Sequence, residues 1–104
     1  MFVHAVYFWL REGLTSAERE RFVAGLRSLR GIKGVKKGYI GVPAPTDRPV
    51  IERGYSWSLV LVFPGQSEHD AYQVDPVHDE FRASCSPFWT TVRIYDSVTA
   101  DSPA

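Results

Sequence analysis

Across 104 residues, twelve Lys and Arg balance twelve Asp and Glu, and 44% of the chain is hydrophobic. That balance excludes a basic field for nucleic acid or an anionic membrane, and the apolar share excludes disorder. A single cysteine, Cys85, excludes an internal disulfide and points to a reducing compartment, so a cytoplasmic location is expected.

The length predicts one domain with a real but thin core. Its boundaries are read as residues 1–99, with 100–104 a frayed tail. Met1 to Leu10 has no positive leading region, contains His4 and runs straight into Arg11-Glu12. It is read as mature structure rather than a targeting segment. Phe2 to Leu10 carries apolar side chains at odd and even positions, the pattern of a strand covered on both faces. His4 shares a face with Phe2, Val6 and Phe8. Thr15-Ser16-Ala17-Glu18 is a capping box, and it opens a helix to about Arg30 with Phe22, Leu26 and Leu29 as its apolar stripe. Gly31 and Gly34 end it.

Val35 to Val42 reads as a second strand. Pro43 to Gly54 is a long polar connection, of the kind that is usually functional or mobile. Tyr55 to Phe63 is the strongest strand and is expected to be central. Ser67-Glu68-His69-Asp70 reads as a second capping box and opens a short helix to about Val74, with His69 exposed. Asp75-Pro76 restarts the helix, Asp as N-cap and Pro at N1. It continues to about Phe88 or Trp89. Thr91 to Val98 is the last strand, with Ile94 and Asp96 on one face and Arg93 and Tyr95 on the other.

The order β-α-β-β-α-β is the ferredoxin-like α+β arrangement, an antiparallel four-stranded sheet with its helices on one side. The opposite sheet face, holding Val3, Tyr7 and Trp9 or their even-numbered neighbours, is then left bare. Monomers rarely expose so large an apolar surface, so a two-fold homodimer closed sheet to sheet is expected.

The candidate chemistry lies in Tyr72-Gln73-Val74-Asp75-Pro76-Val77-His78-Asp79-Glu80-Phe81. His78 falls at N3 of the restarted helix, and Phe81, Cys85 and Phe88 lie on its face at helical spacing. A neutral imidazole there can take a proton from a carbon flanked by carbonyls, and the Tyr72 hydroxyl can hydrogen-bond the enolate that forms. Asp96 or His4 can orient the imidazole. Apolar walls from Phe8, Leu59, Phe81, Phe88 and Ile94 would keep water out. This chemistry needs no cofactor. His4, His78 and Asp96 could converge on a cation, but no HxxxH, HxH or CxxC spacing is present, and no metal is expected. No phosphate loop and no nucleophile elbow occur.

The starting strand with His4, the Ile32-Lys33-Gly34-Val35 turn, Tyr55 to Phe63, Tyr72 to Phe81, Phe88-Trp89 and Ile94-Tyr95-Asp96 together resemble the stress-responsive α/β-barrel (Dabb) family. Tyr72, Pro76, His78 and Phe81 are the most specific part. The resemblance implies a dimeric ferredoxin-like barrel. It is similar in particular to the branch containing the plant cyclase that makes olivetolic acid by intramolecular aldol condensation. On that likeness Tyr72 and His78 are the catalytic pair, and His4, Trp89 and Asp96 belong to the pocket. Trp57 and Asp75 stand where that cyclase has further pocket histidines, and Val23 and Leu26 where it has tunnel-shaping aromatics, so a different ligand is implied.

The expected site is therefore His78 and Tyr72 as catalytic residues, with His4, Phe8, Leu26, Leu59, Phe81, Trp89, Ile94 and Asp96 in binding. Its ligand would be an apolar or β-keto small molecule. A bland reading stands beside each residue: His78, His4 and Tyr72 as satisfied core groups, Asp75 as a helix cap, Cys85 as a small core residue, Trp57 and Trp89 as core or interface aromatics. At the level of function, the alternative is a non-catalytic stress-responsive dimer that binds an apolar molecule. A cofactor-free monooxygenase is a weaker third, since no extra acid–base pair is visible for it.

Overall fold

The computed structural model describes residues 1–100; the expected tail beyond Ala100 lies outside the described residues. The strands are β1 (Phe2–Leu10), β2 (Lys37–Gly41), β3 (Trp57–Phe63) and β4 (Trp89–Val98). The helices are α1 (Ser16–Arg30), α2 (Gln66–Gln73) and α3 (Pro76–Cys85), and a 3-10 turn at Ser86–Phe88 leads into β4. All strand pairs are antiparallel, in the order β2-β3-β1-β4. This is the ferredoxin-like α+β fold.

Local chemistry accounts for most boundaries. The Glu18 amide donates to the Thr15 hydroxyl at 3.1 Å, and the Thr15 amide donates to the Glu18 carboxylate at 2.9 Å, closing the expected capping box of α1. Of the two glycines after α1, only Gly34 (φ +96°) takes a left-handed conformation; Gly31 (φ −90°) does not. The second expected capping box does not form. The N-cap of α2 is Gly65, with no side-chain cap, and Ser67 lies inside the helix bonded to the Glu68 carboxylate at 3.0 Å. Three strands differ from the expected bounds: β2 is trimmed to Lys37–Gly41, Tyr55 and Ser56 precede β3, and β4 begins at Trp89 rather than Thr91.

The even residues of β1 (Phe2, His4, Val6, Phe8) are buried beneath the helices, together with Leu59, Leu61 and Phe63 of β3. Phe22, Leu26 and Leu29 of α1 and Phe81 and Cys85 of α3 complete this layer. The helical layer does not reach across β4, whose inward-facing Val92 and Ile94 stay exposed. On the outer sheet face Tyr39 is 56% and Tyr95 60% exposed. The end of the long connection returns along that outer face, where Tyr55 meets Tyr7 edge-on at 4.9 Å. Ser56 then fixes it to β1: its amide donates to the Phe8 carbonyl at 2.7 Å and its hydroxyl accepts from the Leu10 amide at 2.9 Å.

Candidate functional site

Between the helices and the sheet lies a cavity of about 350 Å³, open toward β4. The shortfall of the helical layer over β4 creates this opening. Phe8, Leu59, Phe81, Trp89 and Ile94 line it, all expected from the sequence, and Val6, Leu29 and Val92 add to the apolar wall. Its polar groups are His4, Tyr72, Gln73, His78, Arg82 and Ser86.

Each polar group has a local cause. The Asp75 carboxylate accepts the Val77 amide proton at 2.8 Å, capping α3 and fixing His78 in its first turn. Tyr72 ends the preceding turn, so the break between the two helices turns both rings toward one space. Their centroids are 5.0 Å apart in an edge-on arrangement. Tyr72 is 1% exposed, and burial raises its pKa above the usual phenol range. Burial first, then the Arg82 guanidinium, holds His78 below the usual imidazole range; Asp79 and Asp75 pull weakly the other way. The imidazole is therefore neutral near pH 7, with a lone pair free to accept a proton. Its Nδ1 is buried without a hydrogen-bond partner.

Two expected binding residues sit elsewhere. Leu26 is fully buried in the core and does not line the cavity. α1 meets the sheet through it, and the cavity opens on the far side, near α3 and β4. Asp96 is not in the cavity wall either; it lies across from His4 in the β1–β4 register and bonds it. The His4 Nδ1 to Asp96 Oδ1 distance is 2.6 Å. Phe88, read as lining, is a buried core ring beneath the Arg21 guanidinium. Asp96 therefore orients His4 and not His78. Burial lowers the His4 pKa despite the opposing pull of Asp96.

The largest departure is His69. It is 8% exposed instead of facing solvent, stacked on Phe2 at 4.3 Å and edge-on to Phe63 at 5.6 Å. Its flanking Glu68 and Asp70 suggested a solvated turn. The signal in its favour is spacing: His69 and Tyr72 are three apart, and so share the buried face of α2. Trp89 reaches the cavity for a reason that no pattern shows. The register shifts between Trp9 and Leu10, where one extra residue of β4 opposes β1. This irregularity brings Trp89 opposite Leu10 and so onto the inner face, stacked on Phe81 at 5.7 Å.

Cys85 is buried, its pKa raised by burial, and it carries no reactive chemistry. Among the described residues, no helix is long and apolar enough to cross a membrane.

Solved structures share this architecture. A Dabb family protein with a ferredoxin-like fold from Mesorhizobium loti is 25% identical, with a TM-score of 0.75 over 94% of this chain and 95% of that one. The hydroxynitrile lyase from Passiflora edulis is 14% identical, with a TM-score of 0.78 over 97% and 94%. A dimeric ferredoxin-like protein of unknown function from Thermobifida fusca is 20% identical, with a TM-score of 0.75 over 94% and 90%. No curated protein matches the sequence. The family model for the stress-responsive A/B barrel domain matches residues 2–99, so the chain belongs to the Dabb family.

Proposed function

We propose that this protein is a cofactor-independent enzyme of the cyclase or isomerase type, working as a cytoplasmic homodimer on an apolar, carbonyl-bearing small molecule. One observation carries the reading: a neutral imidazole and a phenol stand edge to edge at 5.0 Å on the wall of a cavity whose other walls are mostly apolar. With Nδ1 of His78 buried, Nε2 is the nitrogen that meets the ligand. It takes a proton from a carbon next to a carbonyl, and the Tyr72 hydroxyl donates a hydrogen bond to the oxygen on which charge develops. The high pKa of Tyr72 suits it to donate without ionising. The same fold in a hydroxynitrile lyase supports the view that this architecture hosts catalysis. The further likeness to the olivetolic acid cyclase branch belongs to this reading and rests on Tyr72, Pro76, His78 and Phe81.

The homodimer is supported by the outer face, where Tyr39 and Tyr95 stay exposed, and by the dimeric description of the Thermobifida fusca protein. Light scattering that gives a monomer at micromolar concentration would remove this part.

The experiment for the chemistry is deuterium exchange into a β-keto thioester or a 1,3-diketone in D₂O, followed by NMR. The wild-type protein should accelerate exchange, and a folded His78→Ala variant should not. Equal rates in the two would overturn the enzyme. A second reading, a non-catalytic dimer that holds an apolar ligand, is favoured by one fact: Asp96 bonds His4, which leaves His78 with no carboxylate to orient it.

A further inference from the structure

We infer that His4, His69 and Asp96 form a binding site for a divalent transition-metal cation of the zinc type. One ligand atom from each of the three lies within 4.8 Å of the others. They come from three separate elements, β1, α2 and β4, so no sequence spacing announces them.

The donor spacing is close to what a metal requires. Zinc bonds imidazole nitrogen and carboxylate oxygen at about 2.0–2.2 Å, which puts tetrahedral donors roughly 3.3 Å apart. Here the His4 Nδ1 to Asp96 Oδ1 distance is 2.6 Å and the His69 Nε2 to Asp96 Oδ2 distance is 3.9 Å. These distances run to the two different oxygens of Asp96, so the carboxylate would have to turn until one oxygen faces both rings.

Both rings are held in place beforehand. His4 is fixed by the β1–β4 register directly opposite Asp96. His69 is clamped between Phe2 and Phe63. The far nitrogen of His69, Nδ1, lies 3.1 Å from the Asp70 carboxylate. A carboxylate behind the imidazole is the usual outer partner of a metal-bound histidine: it fixes the tautomer and makes the inner nitrogen a better donor. Two imidazole nitrogens and one carboxylate suit a doubly charged, borderline cation better than magnesium or calcium, which favour oxygen donors.

Access and the fourth position are also present. The Asp96 side chain is 39% exposed, which gives the ion an entry from solvent. The Gln73 amide is 3.0 Å from His69 Nε2. It must either move aside or turn its carbonyl oxygen inward as a fourth donor. Of the three ligands only His4 also lines the cavity, so an ion here sits behind the cavity wall rather than within it. The site does not depend on the proton-transfer reading, because neither His78 nor Tyr72 is a ligand.

The test uses the full chain after chelator treatment, titrated with Zn²⁺ by calorimetry and with Co²⁺ by visible absorption. The expected result is one equivalent per chain, a tetrahedral cobalt spectrum, and a rise in Tm with metal. Asp96→Asn and His69→Gln should abolish stoichiometric binding, with the fold of each checked by circular dichroism. Asp70→Asn should weaken binding about 10–100-fold, as loss of an outer partner does. Absence of stoichiometric uptake by the wild-type protein would overturn the site, as would uptake that folded Asp96→Asn retains in full. If His69→Gln fails to fold, the Asp96 and Asp70 variants decide.

Discussion

Gly25 of α1 faces α3 so closely that a methyl group there tests the wall of the cavity. A Cβ at this position would stand 2.7 Å from Cδ1 and 3.0 Å from Cε1 of Phe81, and 3.2 Å from Sγ of Cys85. In an exposed helix interior, Gly→Ala is favourable by about 0.8–1.0 kcal/mol. Here the added methyl overpacks a filled contact, which typically costs about 1–3 kcal/mol. The second effect is the larger, so Gly25→Ala should destabilise the protein by roughly 1 kcal/mol. For a domain of this size that lowers Tm by about 4–8 °C. The Phe81 ring has little room to retreat. It stacks on Trp89 at 5.7 Å and meets Phe22 and Phe8 at 6.0 and 6.1 Å. Its free direction is into the cavity, so the variant should also bind an apolar dye more weakly. Thermal melts of Gly25→Ala, alone and with Phe81→Leu, measure both parts. The double variant should recover part of the Tm lost. A higher Tm in the single variant would mean that the helices do not approach this closely, and the cavity wall as described would be wrong.

Three further outcomes are expected. Tyr72→Phe removes only the hydroxyl, and burial alone raises its pKa, with no hydrogen bond offsetting it. Stability by urea denaturation should change by less than about 0.5 kcal/mol, while deuterium exchange should fall about 10²–10³-fold; a large loss of stability would make the hydroxyl structural. Asp75→Ala deletes the 2.8 Å cap of α3 and should cost about 1 kcal/mol in a denaturant midpoint. The same substitution by Asn should cost much less, and equal losses would deny the cap. His4 and His78 have lowered pKa values in the folded state, so the unfolded chain binds protons first as pH falls. Their contribution is fully present above the unfolded value of about 6.5 and is lost as pH drops through the lowered folded values. Urea midpoints should therefore decrease between pH 7.5 and 5.5. The decrease should be shallower in His78→Gln, and a midpoint that rose over this interval would contradict the buried neutral imidazoles.

The outline of this protein was legible because it rests on local rules. Period-two burial in Phe2–Leu10, the Thr15–Glu18 box and the Asp75-Pro76 start depend on neighbours within a few residues, and together they give the element order and the ferredoxin-like fold. The strand residues of the apolar walls follow from strand alternation, and the inward turn of Tyr72 and His78 from helical phase. Leu26 shows where this stops: its phase places it in the core, but which core residues border a void depends on how far the helical layer reaches across the sheet.

What only the tertiary structure decided involves residues far apart in the chain. The His4–Asp96 bond joins strands that neither helix phase nor strand alternation can pair. The burial of His69 depends on α2 lying over Phe2 and Phe63, which overrides the charged residues beside it. The inward turn of Trp89 comes from one extra residue in a ladder whose partner strand begins the chain. Periodicity describes one element's surface; registry between elements is set by packing, and the grouping of His4, His69 and Asp96 exists only once three of them have met.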